Sequence, residues 1–395
     1  MTEHRIELDT GVLRLRVRKA RYPLEDLCGF AARDNPKRGF LFVSKVLGKH
    51  WPVTPGRMRE LHAHLAWRLE LGAGPWLCMA MAETATGLGQ GVFEALLERD
   101  PSAQALFVHS TRYFLPGWPR LEFEEAHCHA PEQCLYEPRE PHLRARFRAA
   151  RELILIDDEI STGATLCNLA LAYQRINPNL ERVHFVAITD FSGARAASDW
   201  SRRLSLPVST LSALEAELAF TPAASLANLP LPIAVGDNRR LPEQLAGHGS
   251  GRLGLDRPLA LAEADIRHLA RDLAPKARVL VLGTGEYMHL AYRVGLALEA
   301  LGLKTLVQAT TRSPIRLGAD IQRRLVFQDN YGEGIPNYLY NVDPATFDRI
   351  ILCHETPVDD LRDLVHNLGP ACVTYRHPDS PRTSSAALSR LPGDG

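Results

Sequence analysis

The sequence lacks net charge, long apolar runs and a cysteine-rich pattern, and each lack excludes a class of protein. Across 395 residues, 46 Lys and Arg balance 46 Asp and Glu, so no overall charge favours nucleic acid or a membrane surface as a partner. No apolar run approaches the ~18 residues of a membrane-spanning helix, and the polar N-terminus does not resemble a signal peptide. Seven scattered cysteines, an odd number, favour reduced thiols. We therefore expect a cytoplasmic globular protein of two or three domains.

One stretch, Leu153 to Thr165, combines a buried strand with a turn suited to phosphate. Its sequence is LILIDDEISTGAT, and its apolar run predicts a central strand of a parallel sheet. The small and hydroxyl residues that follow predict a turn that opens a helix, whose unpaired N–H groups attract anions. Asp157 and Asp158 end the strand, where their carboxylates can accept hydrogen bonds from hydroxyl groups. A phosphate beside a vicinal diol describes ribose 5-phosphate. Solvated acids at an ordinary turn would explain each acid alone but not the ordered set.

This stretch resembles the phosphoribosyl-pyrophosphate (PRPP) loop of type I phosphoribosyltransferases. The resemblance implies that Asp157 and Asp158 hold the ribose hydroxyls, with Asp158 reaching Mg²⁺ through a water molecule. It assigns the 5-phosphate of PRPP to Ser161, Thr162, Gly163, Ala164 and Thr165. Glu159 departs from the family, which usually has an apolar residue there, so it is either a third candidate catalytic residue that contacts the acceptor or a solvent-facing acid. Purine-using relatives have an acid at position 161 and orotate-using relatives a hydroxyl, so this chain resembles the orotate type.

A second strand–turn–helix pattern precedes the PRPP loop. Trp76 to Ala82 predicts a strand, small and hydroxyl residues predict an anion-binding turn, and a helix is predicted from about Gln90. In type I phosphoribosyltransferases the loop at this place in the chain order binds pyrophosphate, and the matching residues are Glu83, Thr84, Ala85, Thr86 and Gly87. Ser44, Lys45 and Lys49, near the end of another predicted strand, either contact pyrophosphate as well or are ordinary surface residues.

The long irregular stretch from Thr111 to about Glu140 is the predicted closing loop. Loops of this length in compact domains are usually functional or disordered. The family has a mobile loop here, so the resemblance implies that Arg112, His127 and His129 reach the pyrophosphate on closure and exclude water. The alternative is a solvated loop. Cys128 and Cys134 flank His129, so a zinc site is conceivable, although the spacing fits no common template.

The C-terminal part shows a second α/β pattern after a Pro- and Gly-rich linker at 221–258. The Gly283-x-Gly285 turn does not make a dinucleotide fingerprint, because Met288 stands at the third glycine position and no acid ends the next strand. That strand ends in TTRSP, whose hydroxyls and guanidinium suit a phosphate or carboxylate. The predicted second-domain anion or acceptor site comprises Gly283, Gly285, Glu286, Thr310, Thr311, Arg312 and Ser313.

The same TRSP run resembles the TRSP domain that follows a phosphoribosyltransferase domain in bacterial tellurite-resistance (Ter-type) stress gene clusters. The resemblance covers roughly residues 30–360. We therefore predict an α/β protein with a type I phosphoribosyltransferase domain at 1–220, a parallel sheet flanked by helices. A smaller Rossmann-like TRSP domain is predicted at 259–380, and a frayed tail at 381–395.

The resemblance implies an enzyme that joins ribose 5-phosphate from PRPP to a heterocyclic acceptor and releases pyrophosphate, with Mg²⁺ as cofactor. Its product would be a nucleoside-like metabolite linked to stress resistance. The expected partners are PRPP, an unidentified acceptor and a second copy of the chain in a homodimer, with neither nucleic acid nor membrane. Two alternatives stay open: a non-catalytic PRPP sensor, and a scaffold of a biosynthetic complex.

Overall fold

Two β-sheets organise the chain, a seven-stranded sheet in the N-terminal half and a four-stranded sheet in the C-terminal half. The structure is a computed structural model, and it describes residues 2–35, 38–123, 133–224 and 251–377. We refer to residues 2–224 as the N-terminal half and to residues 251–377 as the C-terminal half. Among the helices of these described ranges, none has both the length and the apolar character needed to span a bilayer.

The N-terminal half contains eleven strands and six helices among its described residues. The strands are β1 (Thr2–Leu8), β2 (Gly11–Ala20), β3 (Cys28–Ala32), β4 (Phe40–Ser44), β5 (Trp76–Ala80), β6 (Ala105–His109), β7 (Arg120–Glu122), β8 (Cys134–Tyr136), β9 (Glu152–Ile160), β10 (Arg182–Asp190) and β11 (Val208–Pro222). The helices are α1 (Leu24–Leu27), α2 (Pro55–Arg68), α3 (Thr86–Arg99), α4 (Pro141–Ala149), α5 (Ala164–Gln174) and α6 (Ala196–Leu204). The main sheet has the order β1-β2-β11-β10-β9-β5-β6. Its strands from β11 to β6 are parallel, while β1 and β2 are antiparallel.

Strand β9 lies inside this sheet because its first half is apolar on both faces. Its residues 153–156 are fully buried, as expected for a strand that helices cover on both sides. Helices α2 and α3 pack on one face of the sheet, and α4, α5 and α6 pack on the other. Strand β9 pairs with β5 and β10 in parallel. The turns that follow β5 and β9 therefore lie at the same edge of the sheet, where ligands bind in open parallel sheets.

The C-terminal half is built around a smaller, fully parallel sheet. Its strands are β12 (Arg278–Gly283), β13 (Lys304–Ala309), β14 (Arg324–Gln328), β15 (Pro336–Tyr340), β16 (Arg349–Cys353) and β17 (Cys372–Tyr375). Its helices are α7 (Glu263–Leu269), α8 (His289–Ala300) and α9 (Arg362–Leu368), with 3-10 turns at Pro344–Thr346 and Val358–Leu361. The sheet order is β13-β12-β16-β17, and β14 with β15 forms a separate antiparallel pair. The identification of this half as Rossmann-like stays a prediction.

The two halves form backbone hydrogen bonds at three places. At one of them Arg316 and Asp320 donate their N–H groups to the Ala32 and Phe30 carbonyls, at 3.1 and 3.3 Å. Val53 exchanges hydrogen bonds with Val307 at 3.0 and 2.7 Å, so a segment of the N-terminal half runs along the edge strand β13. Leu255 exchanges hydrogen bonds with Phe107 on β6, both at 2.8 Å. The end of the predicted linker is therefore paired with the N-terminal sheet. The Val53 and Leu255 pairings each cover part of one edge strand, β13 of the smaller sheet and β6 of the larger sheet.

Several elements differ from the sequence expectation in extent. Helix α3 begins at Thr86 rather than near Gln90, which places two residues of the predicted pyrophosphate turn inside the helix. Strand β11 was not predicted at all: the run from Leu211 to Ala219 is rich in Ala, Leu and Glu, which favour helices. Here pairing with β10 and β2 overrides that preference. The predicted tail at 381–395 lies outside the described residues.

Candidate active site

Two adjacent carboxylates stand near the carboxyl end of β9. Asp157 and Asp158 are half-buried, and the Asp158 N–H donates to Asp157 Oδ1 at 2.9 Å. Burial raises the pKa of Asp157 well above its usual value, and the neighbouring Asp158 charge adds to the shift. Burial also raises the pKa of Asp158. A ligand that supplies hydroxyl donors or positive charge would therefore stabilise the ionised form of both carboxylates.

The turn after β9 presents a helix start at the same edge of the sheet. Gly163 has φ of +68°, the left-handed region that favours glycine, and α5 follows it at Ala164. A Cβ at Gly163 would lie 2.2 Å from the ring of Trp200, so no larger residue fits without movement. The Ala164 N–H donates to Thr162 Oγ1 at 3.3 Å. Ser161 and Thr165 are half-buried and Thr162 is exposed. The five residues assigned to the 5-phosphate thus form one open turn beside the carboxylates.

Glu159 is paired with a cation instead of facing solvent. Its carboxylate oxygens accept from Arg38 Nη2 at 2.8 and 2.6 Å, and its side chain is 13% exposed. Burial raises the pKa of Glu159, while Arg38 acts in the opposite direction. Arg38 also lies over the ring of Phe40 at 4.9 Å. The pair places a guanidinium next to the carboxylate cluster of β9.

The turn after β5 carries an acid that lies between two cations. Glu83 Oε1 is 2.6 Å from Lys49 Nζ, and Glu83 Oε2 accepts from Arg312 Nε at 3.3 Å. Burial alone would raise the pKa of Glu83, but Lys49 and Arg312 outweigh burial and lower it to about 2. The preceding residue, Ala82, is held by Ser110 and Gln133 at 2.8 Å each, and the Ala82–Glu83 peptide is cis. Glu83 is therefore ionised in a fixed position.

The other residues of the predicted pyrophosphate loop differ in burial. Thr84 is half-buried, whereas Ala85, Thr86 and Gly87 are buried. Thr86 Oγ1 donates to the Glu286 carbonyl at 3.0 Å. A Cβ at Gly87 would lie 2.8 Å from the Met288 side chain. Thr86 and Gly87 thus pack against the C-terminal half, and the open part of the turn is around Glu83 and Thr84.

Of Ser44 and Lys45, Lys45 contacts the C-terminal half. Ser44 Oγ accepts from the Val46 N–H at 3.4 Å. Lys45 Nζ is 3.3 Å from Asp320 Oδ1 and lies over the ring of Trp51 at 5.3 Å. Lys45, Asp320 and Glu159 all act electrostatically on Cys28, whose pKa burial raises to about 12. Lys45 therefore lies in the same charged region as the β9 carboxylates, but in an ion pair.

The predicted closing loop is described at its two ends. Arg112 donates its backbone N–H to Glu286 Oε1 at 3.0 Å, and its charge helps to lower the pKa of Glu83. His127, Cys128 and His129 lie outside the described residues. Cys134 is buried, with its sulfur 3.8 Å from Arg120 Nη1. In the described ranges there is no group of three or more potential metal ligands, and the zinc prediction stays a prediction.

The predicted second-domain site is largely an internal junction between the halves. The Glu286 carboxylate accepts from Thr111 Oγ1 at 2.7 Å and from Arg252 at 3.2 Å. Gly283 is closely packed, since a Cβ there would lie 2.6 Å from the Tyr287 carbonyl. Of the other predicted residues, Gly285 donates its N–H to Thr310 Oγ1 at 2.9 Å, and Ser313 donates its N–H to Thr311 Oγ1 at 3.2 Å. Two residues of this set contact the predicted pyrophosphate loop: the Glu286 carbonyl accepts from Thr86, and Arg312 pairs with Glu83. These contacts bring the two predicted sites together in one region.

Sequence reasoning missed Arg252 in this junction, and it did not foresee that Lys49 would be buried there. Lys49 is 1% exposed, and its Nζ donates to the Gly285 carbonyl at 2.9 Å, in addition to its ion pair with Glu83. Arg252 is fully buried and bonds Glu286 and Glu355. Glu333 accepts from Arg312 Nη1 at 2.6 Å. A lone charged residue in a loop carries no sequence signal of burial, and the partners of Lys49 and Arg252 are far away along the chain.

Comparisons with known proteins assign families to two parts of the chain. A family model described as phosphoribosyl transferase matches residues 27–217. A second model, described as the TRSP domain C-terminal to it, matches residues 249–368. No curated protein matches the chain significantly.

Solved structures similar to this chain include adenine phosphoribosyltransferases. The enzyme from Trypanosoma brucei is 15% identical, with 50% of this chain and 82% of that chain covered and a TM-score of 0.35. The enzyme from Thermoanaerobacter pseudethanolicus is 18% identical, with 46% and 93% covered and a TM-score of 0.30. The enzyme from Leishmania donovani is 13% identical, with 54% and 86% covered and a TM-score of 0.32. The family assignment rests on the two family models.

The protein is thus a transferase of the phosphoribosyltransferase class. More particularly, the chain belongs to the family in which a phosphoribosyl transferase domain is followed by a TRSP domain.

Proposed function

We propose that this protein transfers ribose 5-phosphate from PRPP to a heterocyclic acceptor and releases pyrophosphate. The observation that carries the proposal is the buried pair Asp157 and Asp158 directly before the phosphate-type turn at 161–165. Two neighbouring acids with raised pKa are unfavourable in the ligand-free protein and favourable beside a diol and a cation. PRPP brings hydroxyls, phosphates and bound metal to this edge together.

Each part of PRPP has a proposed contact. The first turn of α5 and the hydroxyls of Ser161 and Thr162 would hold the 5-phosphate, because helix N-termini offer unpaired N–H donors. Asp157 and Asp158 would accept from the ribose hydroxyls. The turn around Glu83 and Thr84 would receive the pyrophosphate, with Arg112 brought close by the loop that follows β6. Binding at the 5-phosphate supplies energy remote from the reacting carbon.

Mg²⁺ fits the donors that this edge provides. Asp158 offers carboxylate oxygen, the ligand type that Mg²⁺ prefers, and the described residues supply no cage of three or more protein ligands. Such a site suits a cation held mainly by substrate phosphates and water. When bound, Mg²⁺ would neutralise charge on the departing pyrophosphate. Burial of Asp157 and Asp158 is the observation that favours a cation here, because positive charge stabilises both carboxylates.

The reaction proposed is displacement at C1 of the ribose. The bond from C1 to the pyrophosphate oxygen breaks, a bond from C1 to an acceptor nitrogen forms, and pyrophosphate leaves with the electron pair. An acceptor that is already anionic at its nitrogen needs no protein base, which agrees with the hydroxyl at Ser161. The Arg38–Glu159 pair, 2.6 Å apart at its shorter contact, lies next to Asp158 and is the proposed acceptor contact. Its guanidinium would favour a negatively charged heterocycle.

The wider role is proposed from the family resemblance alone: a step in making a nucleoside-like metabolite associated with tellurite and stress resistance. A homodimer is likewise a prediction. A regulatory PRPP sensor is the second candidate, favoured by one observation. Glu83 is tied to both Lys49 and Arg312, so a ligand at this turn would disturb ion pairs that join the two halves. A sensor could use such a change without turnover.

Release of pyrophosphate tests the enzyme proposal directly. Purified protein, PRPP and Mg²⁺ would be incubated with a panel of heterocycles that includes orotate, uracil, adenine and guanine, and pyrophosphate measured. We expect one acceptor class to give turnover that the Asp157→Asn, Asp158→Asn double variant loses by at least about a hundredfold. Tight PRPP binding without turnover with any acceptor, and without exchange of labelled pyrophosphate into PRPP, would support the sensor instead.

A further inference from the structure

A carboxylate stands at the centre of the turn proposed to bind pyrophosphate, where a negative charge is unexpected. Glu83 is 12% exposed and its low pKa keeps it ionised at neutral pH. A fixed anion would repel pyrophosphate strongly in a site of low dielectric. The turn can therefore bind pyrophosphate only if nearby cations outweigh Glu83.

Two cations contact Glu83, and they differ in burial and in how closely they contact it. Lys49 is buried, and its ammonium is fixed by Glu83 at 2.6 Å and by the Gly285 carbonyl at 2.9 Å. Arg312 is 20% exposed, with a longer contact of 3.3 Å to Glu83. Its other contact, at 2.6 Å, is to Glu333. Lys49 therefore offsets the charge of Glu83 from a buried position, whereas Arg312 is partly exposed and divides its contacts between Glu83 and Glu333.

We propose that Arg312, which belongs to the C-terminal half, binds the pyrophosphate group of PRPP by exchanging its ion pair with Glu333 for the substrate. This inference rests on the proposed function, since it assumes PRPP as the ligand. It makes the C-terminal half a part of the substrate site. Arg312 suits the role because a guanidinium binds phosphate oxygens in a bidentate fork.

The surroundings of Glu333 favour the exchange. Burial raises the pKa of Glu333, while its contact with Arg312 acts in the opposite direction. Glu333 lies between Gly332 and Gly334, which have φ of +75° and +70°. An added Cβ at either glycine would meet nothing within 4 Å, so the backbone around Glu333 has space to adjust. Glu333 therefore acts as a temporary partner that keeps Arg312 near the turn.

The test measures the affinity for two ligands in two variants, which are expected to change PRPP affinity in opposite directions. The Kd of PRPP with Mg²⁺ and the Kd of ribose 5-phosphate, which lacks the pyrophosphate, would be measured by calorimetry. Arg312→Ala should weaken PRPP binding by at least about tenfold and change ribose 5-phosphate binding by less than about twofold. Glu333→Gln removes the competing partner and should tighten PRPP binding by about two- to fivefold. Arg316→Ala is the control, because Arg316 follows in the same segment but pairs with exposed Asp34.

The results separate failure of this inference from failure of the proposed function. Wild-type protein that binds no PRPP would overturn both. Wild-type protein that binds PRPP with an affinity unchanged in Arg312→Ala would overturn only the role of Arg312. A merely structural role predicts that Arg312→Ala and Glu333→Gln both weaken PRPP and ribose 5-phosphate alike, and that result would also overturn it. If Arg312→Ala does not fold, the direction of the Glu333→Gln effect decides the question.

Discussion

The turns after β5 and β9 are two strand–turn–helix units on the same sheet edge, and their acids are held in opposite ways. At β9, burial raises the pKa of Asp157 and Asp158 even though Arg38 and Lys49 act in the opposite direction on Asp158, so the protein compensates these carboxylates only in part. At β5, Lys49 and Arg312 lower the pKa of Glu83 to about 2, so its charge is already compensated by the protein. The β9 turn is set up for a ligand that brings positive charge and hydroxyls. The β5 turn has its electrostatics set by residues from both halves of the chain.

The junction that supports the β5 turn should give the largest effect on stability. Arg252 is fully buried between Glu286 and Glu355 and lies over the Tyr113 ring at 5.5 Å. Arg252→Ala would leave two buried carboxylates without their shared cation. We expect the free energy of unfolding to fall by about 3–5 kcal/mol in urea titrations.

Arg257→Ala, at an exposed position in the same segment, is the control and should change the free energy of unfolding by less than about 0.5 kcal/mol. Similar small losses for Arg252→Ala and Arg257→Ala would mean that the junction does not hold the halves together. The β5 turn would then not depend on both halves.

The β9 turn should be disturbed by any side chain at position 163, because Gly163 packs closely against Trp200. Gly163→Ala adds a Cβ that would lie 2.2 Å from the Trp200 ring, at φ of +68°. We expect a loss of about 1–3 kcal/mol in the free energy of unfolding and weaker ribose 5-phosphate binding. Gly193→Ala is a matched control, because Gly193 has φ of +91° but nothing within 4 Å of the added atom. Equal effects of the two variants on ribose 5-phosphate binding would contradict the assignment of the phosphate turn.

The opposite pKa shifts predict opposite stability changes on neutralising the two acids. Glu83→Gln removes a carboxylate whose folded pKa lies below its unfolded value, so it should destabilise the protein above about pH 4, by roughly 1–3 kcal/mol. That stabilising contribution of Glu83 is lost as the pH falls through about 2. The measurement is the free energy of unfolding across pH.

Asp157→Asn should have the smaller effect and the reverse sign. The folded pKa of Asp157 lies above its unfolded value, so its ionisation disfavours folding as pH rises. We expect the variant to be more stable than wild type by about 1 kcal/mol at neutral pH, with the gain vanishing below about pH 4. Asp199→Asn, at an exposed site on α6, should show no such gain. Destabilisation by Asp157→Asn at neutral pH would contradict the prediction that the buried charge of Asp157 disfavours folding.

The β9 turn was predictable from sequence and the β5 turn only in part, for a physical reason. At β9, strand, acids, turn and helix start are consecutive residues, so local pattern contains the whole arrangement. At β5, the position of the turn follows from local pattern, but its charge depends on Lys49 and Arg312, which only tertiary folding brings together. The same limit hid the Arg38 partner of Glu159. Strand β11 was missed because pairing with its neighbours outweighs the helix preference of its sequence.

If the β9 turn binds PRPP, calorimetric titration of PRPP with Mg²⁺ should detect that binding directly. Wild-type protein would be compared with Thr162→Arg, which fills the exposed side of the phosphate turn. Arg202→Ala is the control, because Arg202 is exposed and pairs with Asp199 within α6. We expect wild type and Arg202→Ala to bind PRPP, and Thr162→Arg to lose binding. PRPP binding that is equal in all three proteins, or absent from folded wild type, would contradict it.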